Sequence, residues 1–128
     1  MDVVAAVIER NGRILVCQRK RGGRHALKWE FPGGKVEPGE ESQPALAREL
    51  QEELQIEAKI GAMIHTQIVH YPDRPAIRLK FYRVTEFSGE PRNVEFEQIV
   101  WEDRQKLAAY DFLEGDIAFV GRLASEGL

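Results

Sequence analysis

Glu49, Glu52 and Glu53 stand at i, i+3 and i+4, so on a helix of 3.6 residues per turn their carboxylates share one flank. Three like charges at that spacing repel one another unless a cation lies among them. A small hard dication suits the set: Mg²⁺ takes carboxylate oxygens and keeps several waters, and Mn²⁺ can replace it. Such an ion eases deprotonation of water and polarises a bound electrophile, so the chemistry within reach is metal-assisted hydrolysis. On an isolated helix the same spacing also fits a solvated acidic face on which Arg48 pairs with Glu52. The surrounding sequence decides between the two.

That surrounding is Gly34-Lys35-Val36-Glu37-Pro38-Gly39-Glu40, then Arg48-Glu49-Leu50-Gln51-Glu52-Glu53-Leu54-Gln55-Ile56. It resembles the Nudix box, G-x5-E-x7-R-E-U-x-E-E-x-G-U, at every fixed position but one. Allowing about 7% for each of six fixed residues, a chance match at a given start is roughly one in ten million, which outweighs the solvated-face alternative. The departure is Gln55, where the family has glycine. Glycine there suits a left-handed helix stop, so glutamine costs on the order of 1 kcal/mol without touching a ligand. Trp29 to Lys35, Arg19, and Tyr71-Pro72-Asp73-Arg74 are similar to the matching segments of MutT-type nucleoside triphosphate pyrophosphohydrolases, and Val3 to Arg10 to those of the related CTP pyrophosphohydrolases.

The resemblance implies an α/β fold, a mixed β-sheet sandwiched between α-helices, and hydrolysis of a (deoxy)nucleoside triphosphate to monophosphate and pyrophosphate, with oxidised or modified nucleotides among the candidate substrates. It implies a divalent metal held by the Gly33 carbonyl, Glu49, Glu52, Glu53 and a distal glutamate. Glu95, in the acidic loop before Trp101, is the choice for that distal ligand and Glu97 the alternative. Glu49 is the first candidate base, with Glu52, Glu53 and Glu40 also open, and Arg48 orients the carboxylates through bidentate bonds. Arg19 and Lys35 are candidates for phosphate, Tyr71 and Phe31 for stacking on a base, and Arg74 lies beside Tyr71 in the matching downstream segment. Asp116 falls where MutT-type enzymes carry an asparagine that reads oxidised guanine. Ionised aspartate only accepts hydrogen bonds, which suits an exocyclic amine as on cytosine or adenine, whereas a protonated one can donate to a guanine-like edge. A helix cap is the plainer role for Asp116. His25, His65 and His70 show no metal spacing and receive no role.

The elements that must position these groups are legible in outline. Val3–Ile8 and Arg13–Gln18 flank Asn11-Gly12 and predict a tight hairpin. Lys20–Lys28 reads as an exposed basic loop able to face an anion, and Phe31-Pro32-Gly33-Gly34 as a backbone segment that approaches another group closely. Ser42 as cap, Pro44 in the first turn and leucines at 46, 50 and 54 predict an amphipathic helix ending near Leu54. Ile60–Val69 and Ile77–Phe87 predict two strands whose pairing the prolines of Tyr71-Pro72-Asp73-Arg74-Pro75 break. Ser88 to Pro91 makes a turn, a strand ends near Trp101, and Leu107–Tyr110 and Ile117–Leu123 predict closing helices.

The 128 residues fit one domain, and 43% hydrophobic residues suffice for a core. No apolar run approaches the ~18 residues of a membrane span, and the N-terminus lacks signal-peptide features, so a cytoplasmic setting is expected. Cys17, the single cysteine, sits in an apolar run and reads as core. A net charge of −3 without a basic stripe disfavours a polynucleotide while permitting a single nucleotide. Oligomeric state is left open. Two other readings compete: a hydrolase of another nucleoside diphosphate derivative, such as ADP-ribose or a dinucleoside polyphosphate, and a non-catalytic nucleotide sensor, against which the complete carboxylate set argues.

Overall fold

Asn11 and Gly12, with φ of 54° and 77°, join strands β1 (Asp2–Arg10) and β2 (Arg13–Gln18). This is the turn the dipeptide predicts, since both central residues of such a tight hairpin need positive φ. The computed structural model describes residues 1–127. β1 and β2 pair only next to the turn, at Glu9–Ile14 and Arg10–Arg13. Farther along, β4 (Gly33–Lys35) takes the place of β2 against Val3–Ala5. β2 instead pairs with β3 (Trp29–Glu30) and β9 (Gln98–Asp103). The two strands therefore part like a wedge, and a cleft opens where they separate.

On its other side β1 runs parallel to β7 (Arg74–Val84), which pairs antiparallel with β6 (Met63–Tyr71). The result is a mixed seven-stranded sheet, with β5 (Glu57–Lys59) and β8 (Glu86–Ser88) as a separate pair. Side chains alternate along β1 and β2. Val4, Ala6, Ile8, Leu15 and Cys17 face one core, and Val7, Ile14 and Val16 face the other. Helix α1 (Ser42–Leu54) covers the first with Ala45, Leu46, Leu50 and Leu54, and α2 (Ile117–Glu126) covers the second with Phe119, Val120 and Leu123. The expected sheet between helices is what forms. Each fully buried leucine contributes roughly 1.5–3 kcal/mol, whereas like-charge repulsion on a helix surface costs only about 0.2–0.5 kcal/mol per pair. The leucine stripe therefore dictates which way α1 turns its glutamates.

Several local expectations are corrected. Ser42 does not cap α1: Glu41 occupies that position without a side-chain bond, and Ser42 Oγ accepts from Lys80 Nζ at 3.1 Å. The prolines do not break β6 from β7. Pro72 lies in the two-residue turn, pairing continues to Tyr71–Arg74, and a bulge between Val69 and Tyr71 accommodates Pro75, which has no N–H to give a ladder. Each predicted long strand is interrupted near Gly61 and Thr85; the Gly61 N–H bonds Arg83 O at 2.8 Å, and a Cβ at Gly61 would lie 2.6 Å from that oxygen. The first closing helix is 3-10, Arg104–Ala109, and a further 3-10 turn spans Glu114–Asp116. No helix among the described residues is long and apolar enough to cross a membrane.

Candidate active site

The wedge between β1 and β2 opens into a cleft of about 1090 Å³. Glu49 and Glu53 of α1, Gly33, Gly34 and Lys35 of β4, and Glu95 line one part of it; Val69, Tyr71, Arg74, Leu79 and the 111–117 segment line another. Two backbone bonds join these walls at Trp29, whose N–H donates to Asp111 O and whose carbonyl accepts from Leu113 N–H, both at 2.9 Å. Glu30 and Asp116 consequently share the cleft interior.

Glycine is required at Gly33, where β4 meets the β1 backbone, while at Gly34 the neighbour is the flexible end of the Glu49 side chain. A Cβ on Gly33 would fall 2.0 Å from Val4 O, and one on Gly34 would lie 2.5 Å from the Glu49 carboxyl carbon. The close approach that Phe31 to Gly34 predicts is thus made to β1 and to a glutamate at once.

Arg48 organises the outer side of the carboxylates. Its Nε and Nη2 form a bidentate pair with Glu40, both bonds 2.9 Å, while Nη1 donates to Glu49 at 3.0 Å and Glu52 at 3.3 Å. Glu40 also accepts from Glu37 N–H at 2.9 Å, and these bonds hold its carboxyl below the usual range. Arg48 and Glu40 do not line the cleft, so the expectation of a catalytic Glu40 becomes a positioning one. Glu52, with its side chain 54% exposed against Arg48, lies outside the cleft as well, although it shares a helix flank with Glu49.

Glu53 is different in kind. It is 5% exposed and Arg48 is not bonded to it; its carboxyl meets that of Glu49 and feels Glu95 and Glu30. Burial first, then these carboxylates, push its pKa up to about 9. Beneath it lies Cys17, fully buried as expected, its thiol pushed well up by burial and then by Glu53. Glu53 is thus a carboxylate in want of a cation. Among the described residues no three acidic, histidine or cysteine side chains close into a cage around one point. Glu49, Glu53 and Glu95 form an open wall instead, a donor set that fits a hard dication retaining several waters. Glu95 lines the cleft and Glu97 does not. Asn93 fixes that loop, its Oδ1 accepting from Phe96 N–H at 2.8 Å and its Nδ2 donating to Phe96 O at 2.9 Å.

At the other end Asp116 is 7% exposed, and burial, then Glu30, raise its pKa to about 7. It stands at the N-terminal boundary of α2 but makes no side-chain cap bond. The spacing of the sequence gives no sign of Glu30. It is half-buried, accepts two 3.2 Å bonds from Arg19 Nη1, and is raised first by burial. Its only legible signal is position, three residues before Gly33 on a short strand.

Of the remaining candidates, Arg19 lines the cleft but is engaged by Glu30 and by Arg24 O at 3.0 Å, so it braces the wall. Lys35 is exposed on the rim with no ion pair among the described residues. Phe31 lines the cleft but is 3% exposed, stacked on Phe112 at 5.3 Å and edge-on to Phe81 and Phe119, so most of its ring is packed into the core. Tyr71 remains on the cleft wall at the β6–β7 turn, with the Arg74 guanidinium 4.7 Å above its ring. The predicted basic loop supplies Lys20, Arg21, Arg24 and Lys28 to the rim.

The NUDIX domain description matches residues 1–122. The chain is similar to the CTP pyrophosphohydrolase of Escherichia coli (strain K12), 40% identical over 117 residues that cover 91% of this chain and 86% of that protein. It is also similar to the 8-oxo-dGTP diphosphatase of Haemophilus influenzae, 38% identical over 125 residues, covering 96% and 91% respectively. The solution structure of the E. coli ORF135 protein superposes with a TM-score of 0.86 at 38% identity, covering 97% of this chain and 90% of that one.

Proposed function

This chain belongs to the NUDIX family, and from that membership we propose that it hydrolyses nucleoside triphosphates to monophosphate and pyrophosphate, with a preference for cytosine and adenine, which carry an exocyclic amine (N4 or N6) where guanine has its O6 keto oxygen. The observation that carries the reading is the cleft itself: a wall of crowded carboxylates around Glu53 at one end, and the buried, otherwise unbonded carboxyl of Asp116 at the other. Phosphates belong with the first and a base edge with the second. The cytoplasmic nucleotide pool is the setting this reading implies.

Glu49, Glu53 and Glu95, with the Gly33 carbonyl, would hold Mg²⁺ or Mn²⁺, and Glu52 would join by leaving Arg48. A bound divalent ion supplies neutralisation of the phosphate chain and polarisation of the attacked phosphorus. Glu49, held by Arg48 at 3.0 Å, takes a proton from the attacking water. The new bond forms between that water oxygen and phosphorus, the P–O–P bridge between the α and β phosphorus atoms breaks, and pyrophosphate leaves. Lys35 and the cations of the basic loop meet the phosphate oxygens from the rim. Asp116, when ionised, accepts from a base amine; when protonated it can also donate to a keto oxygen.

The names of the relatives point to cytosine in one case and oxidised guanine in the other. The aspartate favours cytosine N4 or adenine N6, since an acceptor-only carboxylate facing that position matches an amine donor and repels the O6 keto oxygen that guanine places there. The test is phosphate release across CTP, dCTP, dATP, dGTP and 8-oxo-dGTP with added inorganic pyrophosphatase, and from ADP-ribose with added alkaline phosphatase because its products are phosphomonoesters, in Mg²⁺ at about pH 8, where Asp116 is mostly ionised. The reading expects the highest kcat/KM for cytosine or adenine triphosphates. Turnover of ADP-ribose alone would replace the substrate class, and an 8-oxo-dGTP preference at that pH would replace the base assignment.

A further inference from the structure

His65 belongs to no motif, yet it sits in a chain of hydrogen bonds that ends one residue from Asp116. Arg122 Nη1 on α2 lies 2.9 Å from His65 Nδ1, and His65 Nε2 lies 2.8 Å from Gln67 Oε1. Gln67 Nε2 then donates to Gly115 O at 2.7 Å. The two ends fix the direction of the whole chain. A guanidinium can only donate, so Nδ1 must accept; a carbonyl can only accept, so the Gln67 amide must turn its NH₂ toward Gly115. One neutral tautomer, protonated on Nε2, satisfies both.

The surroundings hold this arrangement in place. The His65 ring stacks on Phe119 at 4.9 Å with an interplanar angle of 26°, and Arg122 Nη2 also bonds Ile64 O at 3.0 Å. On the far side the Glu114–Asp116 turn rests on the sheet: a Cβ on Gly115 would make ordinary van der Waals contact with Val69 at 3.4 Å and Leu79 at 3.5 Å. Gln67 is thus the side-chain anchor of a turn that the backbone also holds, through Asp116 N–H to Leu113 O and Leu113 N–H to Trp29 O, both at 2.9 Å, and through Ile117 N–H to Glu114 O.

From this geometry we infer that the Arg122–His65–Gln67 relay is a specificity-determining device: it pins the Gly115 carbonyl and so sets where the Asp116 carboxyl meets the base. The inference rests on the base-reading role of Asp116 proposed above. Gln67 and His65 do not line the cleft; they are positioning residues that act through Asp116. Removing the relay lets the turn shift, which blurs the distinction between amine and keto edges while leaving the carboxylate wall on α1 unaffected.

The test uses the full chain in saturating Mg²⁺ and reads kcat and KM separately for CTP, dATP and dGTP. Gln67→Leu keeps volume and removes both bonds; His65→Gln retains a donor near the Nε2 position and serves as the conservative rescue of His65→Leu. Gln67→Leu and His65→Leu are expected to reduce the ratio of kcat/KM between preferred and disfavoured bases by about tenfold, mainly through KM. The Mg²⁺ concentration for half-maximal rate should not move, and His65→Gln should recover most of the ratio. Should Gln67→Leu fail to fold, as judged by thermal melting, Gln67→Glu replaces it, since a carboxylate still accepts from His65 but cannot donate to Gly115. In an Asp116→Ala background the relay substitutions should have no further effect on the ratio. An unchanged ratio in a folded relay variant, with Asp116→Ala altering it, overturns the relay and leaves the reading of Asp116 standing. An unchanged ratio in Asp116→Ala overturns both. A uniform loss of kcat for every nucleotide overturns the specificity role in favour of a purely structural one.

Discussion

Replacing Glu53 with glutamine should stabilise the metal-free protein while destroying its activity. In the unfolded chain this carboxyl titrates near its ordinary 4.5; in the fold, burial and the neighbouring Glu49, Glu95 and Glu30 raise it to about 9. The folded state therefore holds a proton that the unfolded state has released. The stability associated with that proton is fully present below about pH 4.5 and is lost progressively as pH rises toward 9. Each pH unit inside the window costs about 1.4 kcal/mol, so at pH 7, two and a half units above 4.5, the cost lies between about 3 and 4 kcal/mol. Glutamine is a neutral near-isostere and carries no such slope. In chelator, wild-type and Glu53→Gln proteins should melt close together at about pH 5 and separate as pH rises, the variant melting on the order of 10 °C higher near pH 7. Added Mg²⁺ should raise the wild-type melting temperature and leave the variant almost unmoved, because binding to the folded state alone is what stabilises. Thermal melts of both proteins over about pH 5 to 8.5, with and without Mg²⁺, measure all of this. A variant less stable than wild type in chelator at pH 8, or a gap that does not grow with pH, would refute the reasoning.

Other outcomes follow from single residues. Gln55 ends α1 with φ of 56° and ψ of 39°, so Gln55→Gly should stabilise by about 0.5–1 kcal/mol in urea titration with kcat unchanged; a tenfold change in turnover would show that the helix stop shapes the site. Asn93→Ala removes both bonds that hold the loop of Glu95 and should raise the Mg²⁺ concentration for half-maximal rate several-fold with little loss at saturation; an unchanged metal requirement would detach Glu95 from the metal wall. Asp116, with its pKa raised to about 7, should favour cytosine and adenine over guanine increasingly as pH rises through 7 and gain tolerance for the guanine O6 keto oxygen as it falls. Asp116→Asn should flatten that dependence, and identical pH profiles for the two proteins would remove Asp116 from base reading.

What the sequence revealed and what it concealed have physical causes. The Asn11-Gly12 turn and helix α1 were legible because each depends on local chemistry: positive φ at two neighbouring residues, and a leucine every fourth position. The carboxylate flank was legible for the same reason. Its division was not, because whether Glu52 turns to Arg48 or Glu53 turns inward depends on what packs against the helix. Phe31 reads as a possible platform until the rings of Phe81, Phe112 and Phe119 close around it from strands and segments far along the chain. Pro72 and Pro75 read as breakers because a proline removes a ladder bond, yet one lies in the turn and the other beside a bulge, where that bond is not needed. Glu30 and His65 carry no local signature at all. Their importance comes from partners many residues away: Asp116 beside Glu30, and Arg122 and Gly115 at the two ends of the His65 relay.

The account turns on metal-dependent cleavage between the α and β phosphorus atoms, and identifying the products by ³¹P NMR tests it most directly. With CTP and Mg²⁺ the wild-type protein is expected to yield monophosphate and pyrophosphate in equal amounts, to stop on addition of excess chelator, and to be slower by a factor on the order of 10³ or more as folded Glu53→Gln. Nucleoside diphosphate with inorganic phosphate as the products, or undiminished turnover in chelator or in the variant, would contradict it.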